Sequence, residues 1–154
     1  MAQTRTTFQG KVRSSGGSAK GNATAGVTVL SVMFSFDPTA TTATNVKVGS
    51  SASSGEDLTL PKGAVPISIT TKAVATGGTN PTVDIGTSAD NDGLFNELDA
   101  DANNTTTVAA GALVTTAGLT ADSVITGMKG ASAATGGTYT GILTYYCVDD
   151  GKDS

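Results

Sequence analysis

Six carboxylates, Asp84, Asp90, Asp92, Glu97, Asp99 and Asp101, fall within 18 residues that contain no Lys or Arg. Inside it, Ser88-Ala89-Asp90-Asn91-Asp92-Gly93 followed by Asp99 has the outline of a calcium loop, with oxygen ligands at alternate positions and Gly at the bend. The outline is incomplete. Ser88 stands where Asp is wanted, Asp99 is shorter than the usual bidentate Glu, and Asp-Asn-Asp-Gly is equally what a turn requires, because Asn and Asp tolerate left-handed backbone and bond to their own chain. Nor does any neighbouring cation, nucleophile or apolar wall set two of these carboxylates apart as acid and base. The expectation is a solvated acidic loop, with no metal and no cofactor assigned.

Other chemistry is sparse. The chain has no His and no Trp, and its single thiol, Cys147, lies in Leu143-Thr144-Tyr145-Tyr146-Cys147-Val148, where it reads as a small buried hydrophobe. These absences remove most catalytic triads, histidine metal sites and paired-cysteine redox motifs. The pairs Gly16-Gly17, Gly77-Gly78 and Gly136-Gly137 open no helical pattern and read as loop tips rather than phosphate cradles. We therefore expect no enzyme.

The opposite charge sits at the N-terminus. Residues 1–26 contain Arg5, Lys11, Arg13 and Lys20, no acidic residue, and a Gly/Ser/Ala-rich run from Ser14 to Gly21. With Phe8 and Val12 as its few apolar anchors, this stretch buries too little surface to offset the ordering of its backbone, so it reads as an extended arm that becomes fixed against a partner. Four cations could touch nucleic acid, but the chain as a whole carries a net charge of -4 and a pI near 4.5, and we expect no nucleic-acid partner. The start has no apolar segment of the secretory kind, and no stretch approaches the roughly 20 apolar residues of a spanning helix, so no membrane partner is expected either.

Something must position these groups, and composition says that it is sheet. Thr, Ala, Gly and Ser supply 82 of 154 residues, while Val, Leu, Ile and Phe supply 30, so the core is thin and the bias is toward strands and turns. Charged residues are only 14%, too few for self-repulsion to keep the chain unfolded. The pattern predicts strands at Val27 to Phe36, Thr44 to Val48, Glu56 to Leu60, Ala64 to Ala75, Thr82 to Ile85, Thr105 to Ala109, Leu113 to Thr116, Ser123 to Lys129 and Thr138 to Val148. Pro61-Lys62-Gly63 predicts a tight turn, and Pro66 puts the start of its strand at a sheet edge. Two hairpins are expected, one joining the strands around Gly77-Gly78 and one around Ala131 to Gly137. Leu94, Phe95 and Leu98, at i, i+1 and i+4, predict a single helical turn over 94–99. The fold class is all-β, a jelly-roll or related β-sandwich of residues 27–154 with an extended N-terminal arm of residues 1–26.

Residues Thr7 to Ser14, the turn Leu58-Thr59-Leu60-Pro61-Lys62-Gly63-Ala64, the stretch Gly77 to Gly93 and the ending Gly136 to Tyr146 resemble small structural proteins of tailed bacteriophages, most of all capsid decoration (cement) proteins. The resemblance implies a protein made in the host cytoplasm that sits on the outer surface of the phage head. There it binds at junctions of the major capsid protein, associates with itself as homodimer or homotrimer, and reinforces the shell. Applied to this chain, it makes Arg5, Phe8, Lys11, Val12 and Arg13 the expected capsid-binding residues. The alternative is a head-fibre or receptor-binding β module, with loops 76–81 and 130–138 facing a host surface.

Overall fold

The computed structural model describes residues 29–148. The arm expected at residues 1–26 lies outside them. Eleven strands follow one another: β1 (Val29–Phe36), β2 (Thr44–Asn45), β3 (Lys47–Val48), β4 (Thr59–Leu60), β5 (Ala64–Thr76), β6 (Thr82–Thr87), β7 (Asp90–Asp99), β8 (Thr106–Val108), β9 (Ser123–Val124), β10 (Thr126–Lys129) and β11 (Gly136–Cys147). They form a five-stranded sheet in the order β3-β1-β11-β5-β8, a four-stranded sheet β2-β10-β6-β7 and a two-stranded pair β4-β9, and every pairing is antiparallel. The all-β sandwich is as expected, and no helix occurs among the described residues.

The core lies between the two larger sheets. Phe34 and Phe36, two residues apart on β1, face the same way as Tyr139 and Leu143 of β11 and Ile69 of β5. Val83, Ile85, Leu94, Phe95 and Leu98 of β6 and β7 supply the opposing layer. The Phe34 and Phe36 rings stack with centroids 6.5 Å apart, and Tyr139 leans on Phe36 at 5.3 Å. Gly141 stands opposite Phe34 in register and leaves room for that ring, since a Cβ there would lie 2.9 Å from its Cζ. With few large side chains available, three aromatic rings fill the centre.

Two expected strands each divide in two. Thr44 to Val48 splits at Val46 into β2, in the four-stranded sheet, and β3, in the five-stranded one; Ser123 to Lys129 splits at Ile125 into β9 and β10. Val46 and Ile125 are fully buried where the chain passes between sheets, and together with Leu58 they close a ring of backbone bonds. Val46 N–H donates to the Ile125 carbonyl (2.9 Å), Ile125 N–H to Leu58 (2.8 Å), and Leu58 N–H to Val46 (2.8 Å).

Neither expected hairpin forms. β5 and β6 lie in different sheets, as do β10 and β11, so the loops over 77–81 and 130–135 cross the sandwich. The two crossovers run side by side: a Cβ on Gly78 would lie 2.4 Å from the Ala133 carbonyl oxygen, and Thr82 N–H donates to Ser132 (2.8 Å). A short Gly-rich loop spans the roughly 10 Å between packed sheets as readily as it reverses a chain, and strand spacing does not distinguish the two.

The helical turn expected over 94–99 is strand β7. Ile85 pairs with Phe95 and Val83 with Leu98, so β7 spends one residue more than β6 between these pairs, and Glu97 takes φ 52° in the resulting bulge. The bulge brings Leu98 back to the core three residues after Phe95, which is the spacing that imitates a helix. Leu113 to Thr116 forms no strand but packs on β7, where Leu113 N–H donates to the Gly93 carbonyl (2.8 Å). Gly63 takes φ 80° in the turn after Pro61, as expected. The open sheet edge expected at Pro66 does not occur: β8 pairs with β5 only from Ser68 to Thr70, but the chain after β8 covers the rest of that side, with Ala109 N–H donating to the Ile67 carbonyl (2.8 Å) and Leu119 N–H to the Ala64 carbonyl (2.9 Å), and Pro66 is buried. Cys147, expected to be buried, is exposed at the last position of β11, beyond the half-buried Tyr145 and Tyr146.

Candidate interaction surfaces

Of the expected capsid-binding residues, Arg5, Phe8, Lys11, Val12 and Arg13 all lie outside the described residues. The acidic run, by contrast, lies wholly within them. It occupies the β6-β7 hairpin and the loop after it. The calcium-loop outline does not survive folding, because Asp90 opens β7 and Asp99 closes it. Nine residues of extended chain separate them by up to about 30 Å, so they cannot share an ion. Among the described residues no group of three His, Cys, Asp or Glu side chains is placed to hold a metal.

The hairpin's carboxylates instead hold backbone. Asp84 Oδ1 accepts from Glu97 N–H (2.8 Å), which steadies the left-handed bulge residue. Glu97 in turn reaches the crossover loop: its Oε1 accepts from Ala131 N–H (2.8 Å) and its Oε2 from the Thr82 hydroxyl. Asp92 Oδ2 accepts from the Asn96 amide (3.0 Å), and Asp99 Oδ1 from the N–H groups of Asp101 and Ala102 (3.0 and 3.2 Å). Sequence reasoning missed this latch, although Gly130 hinted at it. A Cβ there would sit 2.5 Å from Thr82 Oγ1 and 2.8 Å from Glu97 Oε2, so a side chain at 130 would push the carboxylate from its present position.

Crowding raises three of these acids. Partial burial pushes the Asp84 carboxyl above its ordinary value, with the nearby charges of Glu97 and Asp92 adding to the effect; the Glu97 N–H bond and Lys129 work against it. A shared hydrogen bond and like charge raise Asp90 beside Asp92 and Asp101 beside Asp99. On the opposite side of the chain, the Lys47 ammonium bonds Asp57 Oδ1 at 2.6 Å and lowers that carboxyl, with Asn45 assisting. A carboxyl raised in the folded state holds its proton more tightly there than in the unfolded chain. Its contribution to stability is therefore full below the unfolded value and lost as pH rises through the folded one. Asp57 has the opposite sign, but loses its contribution only below the ordinary carboxylate value near 3.9. The expected result is a thermal midpoint that rises as pH is lowered from neutrality towards the ordinary carboxylate value near 3.9. Asp84→Asn should flatten that rise, and scanning calorimetry across the pH series reads both.

A second surface is rich in hydroxyls and sparsely charged, with Lys72 of β5 exposed at its margin. On the side of the five-stranded sheet facing away from the core, the register aligns Ser31, Thr144, Ser68 and Val108 in one row across four strands and Met33, Ile142, Thr70 and Thr106 in the next. Val29 and Tyr146 begin a third row. Hydroxyls zip the first two rows, Ser31 to Thr144 at 3.2 Å and Thr70 to Thr106 at 2.7 Å. Val29, Met33 and Val108 are exposed, Val108 to 70%.

The sandwich has a counterpart among solved structures. A chain titled "Cyanophage Pam1 capsid asymmetric unit" superposes on this one with a TM-score of 0.52, and the match covers 96% of each chain at 17% sequence identity. At that identity the likeness is one of fold, and the equal coverage makes the two chains similar in length. No protein-family model matches the sequence. No curated protein matches it either.

Proposed function

We propose that this chain is a structural protein of a phage particle that binds the outer surface of the head at junctions of the major capsid protein and stabilises the shell. The observation that carries the reading is the fold shared end to end with a chain of a phage capsid unit. The bulk resemblance of the sequence to decoration proteins points the same way, and so does the chemistry of the surfaces, which offer backbone latches, hydroxyl ladders and charge asymmetry. Many modest contacts repeated on a symmetric lattice reach high avidity without a large apolar interface. In this reading the basic arm lies extended on the shell, with Arg5, Lys11 and Arg13 facing carboxylates and Phe8 and Val12 seated between them.

Co-sedimentation of the purified full-length chain with empty phage heads tests it. The chain should pellet with the heads, and reversing three charges together, Arg5→Glu, Lys11→Glu and Arg13→Glu, should weaken that binding at least about tenfold, as should raising the salt. Undiminished binding of the triple variant removes the arm from the mechanism. A chain that ignores heads and adheres to host cells instead supports the head-fibre reading.

A further inference from the structure

We infer that in the free chain residues 7–13 add to the sandwich as an edge strand, antiparallel to β1, along a stretch of β1 that no described strand covers. β1 is paired with β11 over its whole length, from Val29 to Phe36. On its other side it meets β3 only at Phe34 and Ser35, and the Met33 carbonyl accepts from Gly49 N–H (2.8 Å). The chain turns away at Gly49, φ 99°, and among the described residues nothing pairs with that side of β1 from Val29 to Val32. Backbone groups alternate along a strand, so the side that carries the Met33 carbonyl also carries the N–H and C=O groups of Val29 and Ser31, while those of Leu30 and Val32 point to β11.

An open edge of this kind pairs with whatever extended chain it meets, and sheets ordinarily blunt it with charge or proline. β1 has neither, reading Val-Leu-Ser-Val-Met-Phe-Ser-Phe. Leu30 falls on the core side with Phe34 and Phe36, yet it is 42% exposed, and Val29 on the outer side is 55% exposed. The edge therefore has apolar surface to bury on both faces as well as backbone groups to bond.

Residues 7–13, Thr-Phe-Gln-Gly-Lys-Val-Arg, match that edge. They alternate with period two, so Phe8, Gly10 and Val12 fall on one side of an extended chain and Thr7, Gln9, Lys11 and Arg13 on the other. With Phe8 and Val12 on the core side they cover Leu30 and the half-buried Val32, and both cations stand outward in solvent. Residues 14–28 join the segment to β1 through Gly16, Gly17, Gly21 and Gly26, with no proline in either part. Closing a loop of this length costs little more than closing a shorter one. Because the link is covalent, the segment meets the edge at an effective concentration on the order of millimolar, which a separate chain must exceed to compete. Seating Phe8 and Val12 on a shell would then require the segment to leave this edge.

Centred on the open stretch, the segment sets Gln9 opposite Ser31 and Lys11 opposite Val29, so Gln9 N–H points at β1 and Gly10 N–H points away. Proline at 9 removes a ladder bond, whereas proline at 10 takes the position that an edge strand tolerates. Amide hydrogen exchange, followed by NMR on the full-length chain at about 0.1 and 1 mM, separates the two. The Val29 and Ser31 amides should exchange at least about tenfold more slowly than in unstructured chain, at both concentrations and in Gly10→Pro, and should lose that protection in Gln9→Pro. The Leu30 and Val32 amides, which face β11, should stay protected in all three proteins and show that the sheet is intact. Unprotected Val29 and Ser31 in the wild type overturn the inference, as does protection that survives Gln9→Pro or is lost equally in Gly10→Pro. Protection that fades on dilution overturns it by giving the edge to a second copy, and protection that appears only with added heads gives it to the shell protein. The wild-type measurement needs no heads, so its failure leaves the shell-binding proposal standing.

Discussion

Replacing Tyr139 with alanine is expected to remove about 3–5 kcal/mol, close to half the stability of an ordinary domain of this size. The side chain is fully buried, and its ring leans on Phe36 at 5.3 Å and Phe34 at 6.3 Å. Deleting it opens a cavity at the centre of a core that has only 30 large aliphatic and Phe side chains in the whole chain to draw on. Neighbours cannot collapse into the space easily, because Gly141 and Gly127 flank the cluster with no side chains of their own to move. The hydroxyl carries a separate, smaller share. It lies 3.1 Å from the Thr71 hydroxyl, itself buried, so Tyr139→Phe leaves Thr71 without that partner and should cost about 1–2 kcal/mol. Urea melts of the three proteins check the order: alanine variant well below phenylalanine variant, phenylalanine variant below wild type. A Tyr139→Ala protein within about 1 kcal/mol of wild type would mean that this cluster is not the centre of the fold.

How far the sequence led depended on whether a feature was decided locally. β1 and β11 were legible because Phe34-Ser35-Phe36 and Tyr139 to Tyr146 are β-branched or aromatic nearly throughout, and burial on one face follows from that pattern alone. The turn at Gly63 was legible because Pro and Gly restrict or free the backbone by covalent structure. The errors share a different cause. Whether β5 leads into a paired β6 or crosses to another sheet is settled by which distant strand, β11 or β10, each one meets. Leu94, Phe95 and Leu98 looked helical because a bulge at Glu97 shifts the strand's period, and that bulge is held by Asp84, thirteen residues away, and by a loop more than thirty residues away. Of the surfaces, the acidic run was visible as composition, but its role as a latch was not. The hydroxyl-rich face was invisible, because Ser31, Thr144, Ser68 and Val108 become neighbours only through register.

Gly127→Ala isolates that long-range dependence in one methyl group. Read locally, Gly127 lies inside strand β10, where alanine usually stabilises by restricting the unfolded chain. In the folded protein its Cβ would lie 2.7 Å from Cδ2 and Cε2 of Phe36 and 2.8 Å from Cγ, so β10 meets the aromatic ring of the opposing sheet with no room to spare. That ring is not the end of a flexible side chain. Phe34 stacks on it from one side and Tyr139 leans on it from another, so relief requires the two sheets to separate locally. The expected cost is about 2–4 kcal/mol, at the upper end for overpacking, against a local expectation of slight gain. Phe36→Leu, which withdraws the ring edge, should itself destabilise yet recover at least about 1 kcal/mol when combined with Gly127→Ala. Denaturant melts of the four-protein cycle decide the matter. Additive losses would mean that glycine is kept at 127 for its backbone alone, whereas recovery in the double variant shows that the separation of the two sheets is set by one aromatic ring against one missing side chain.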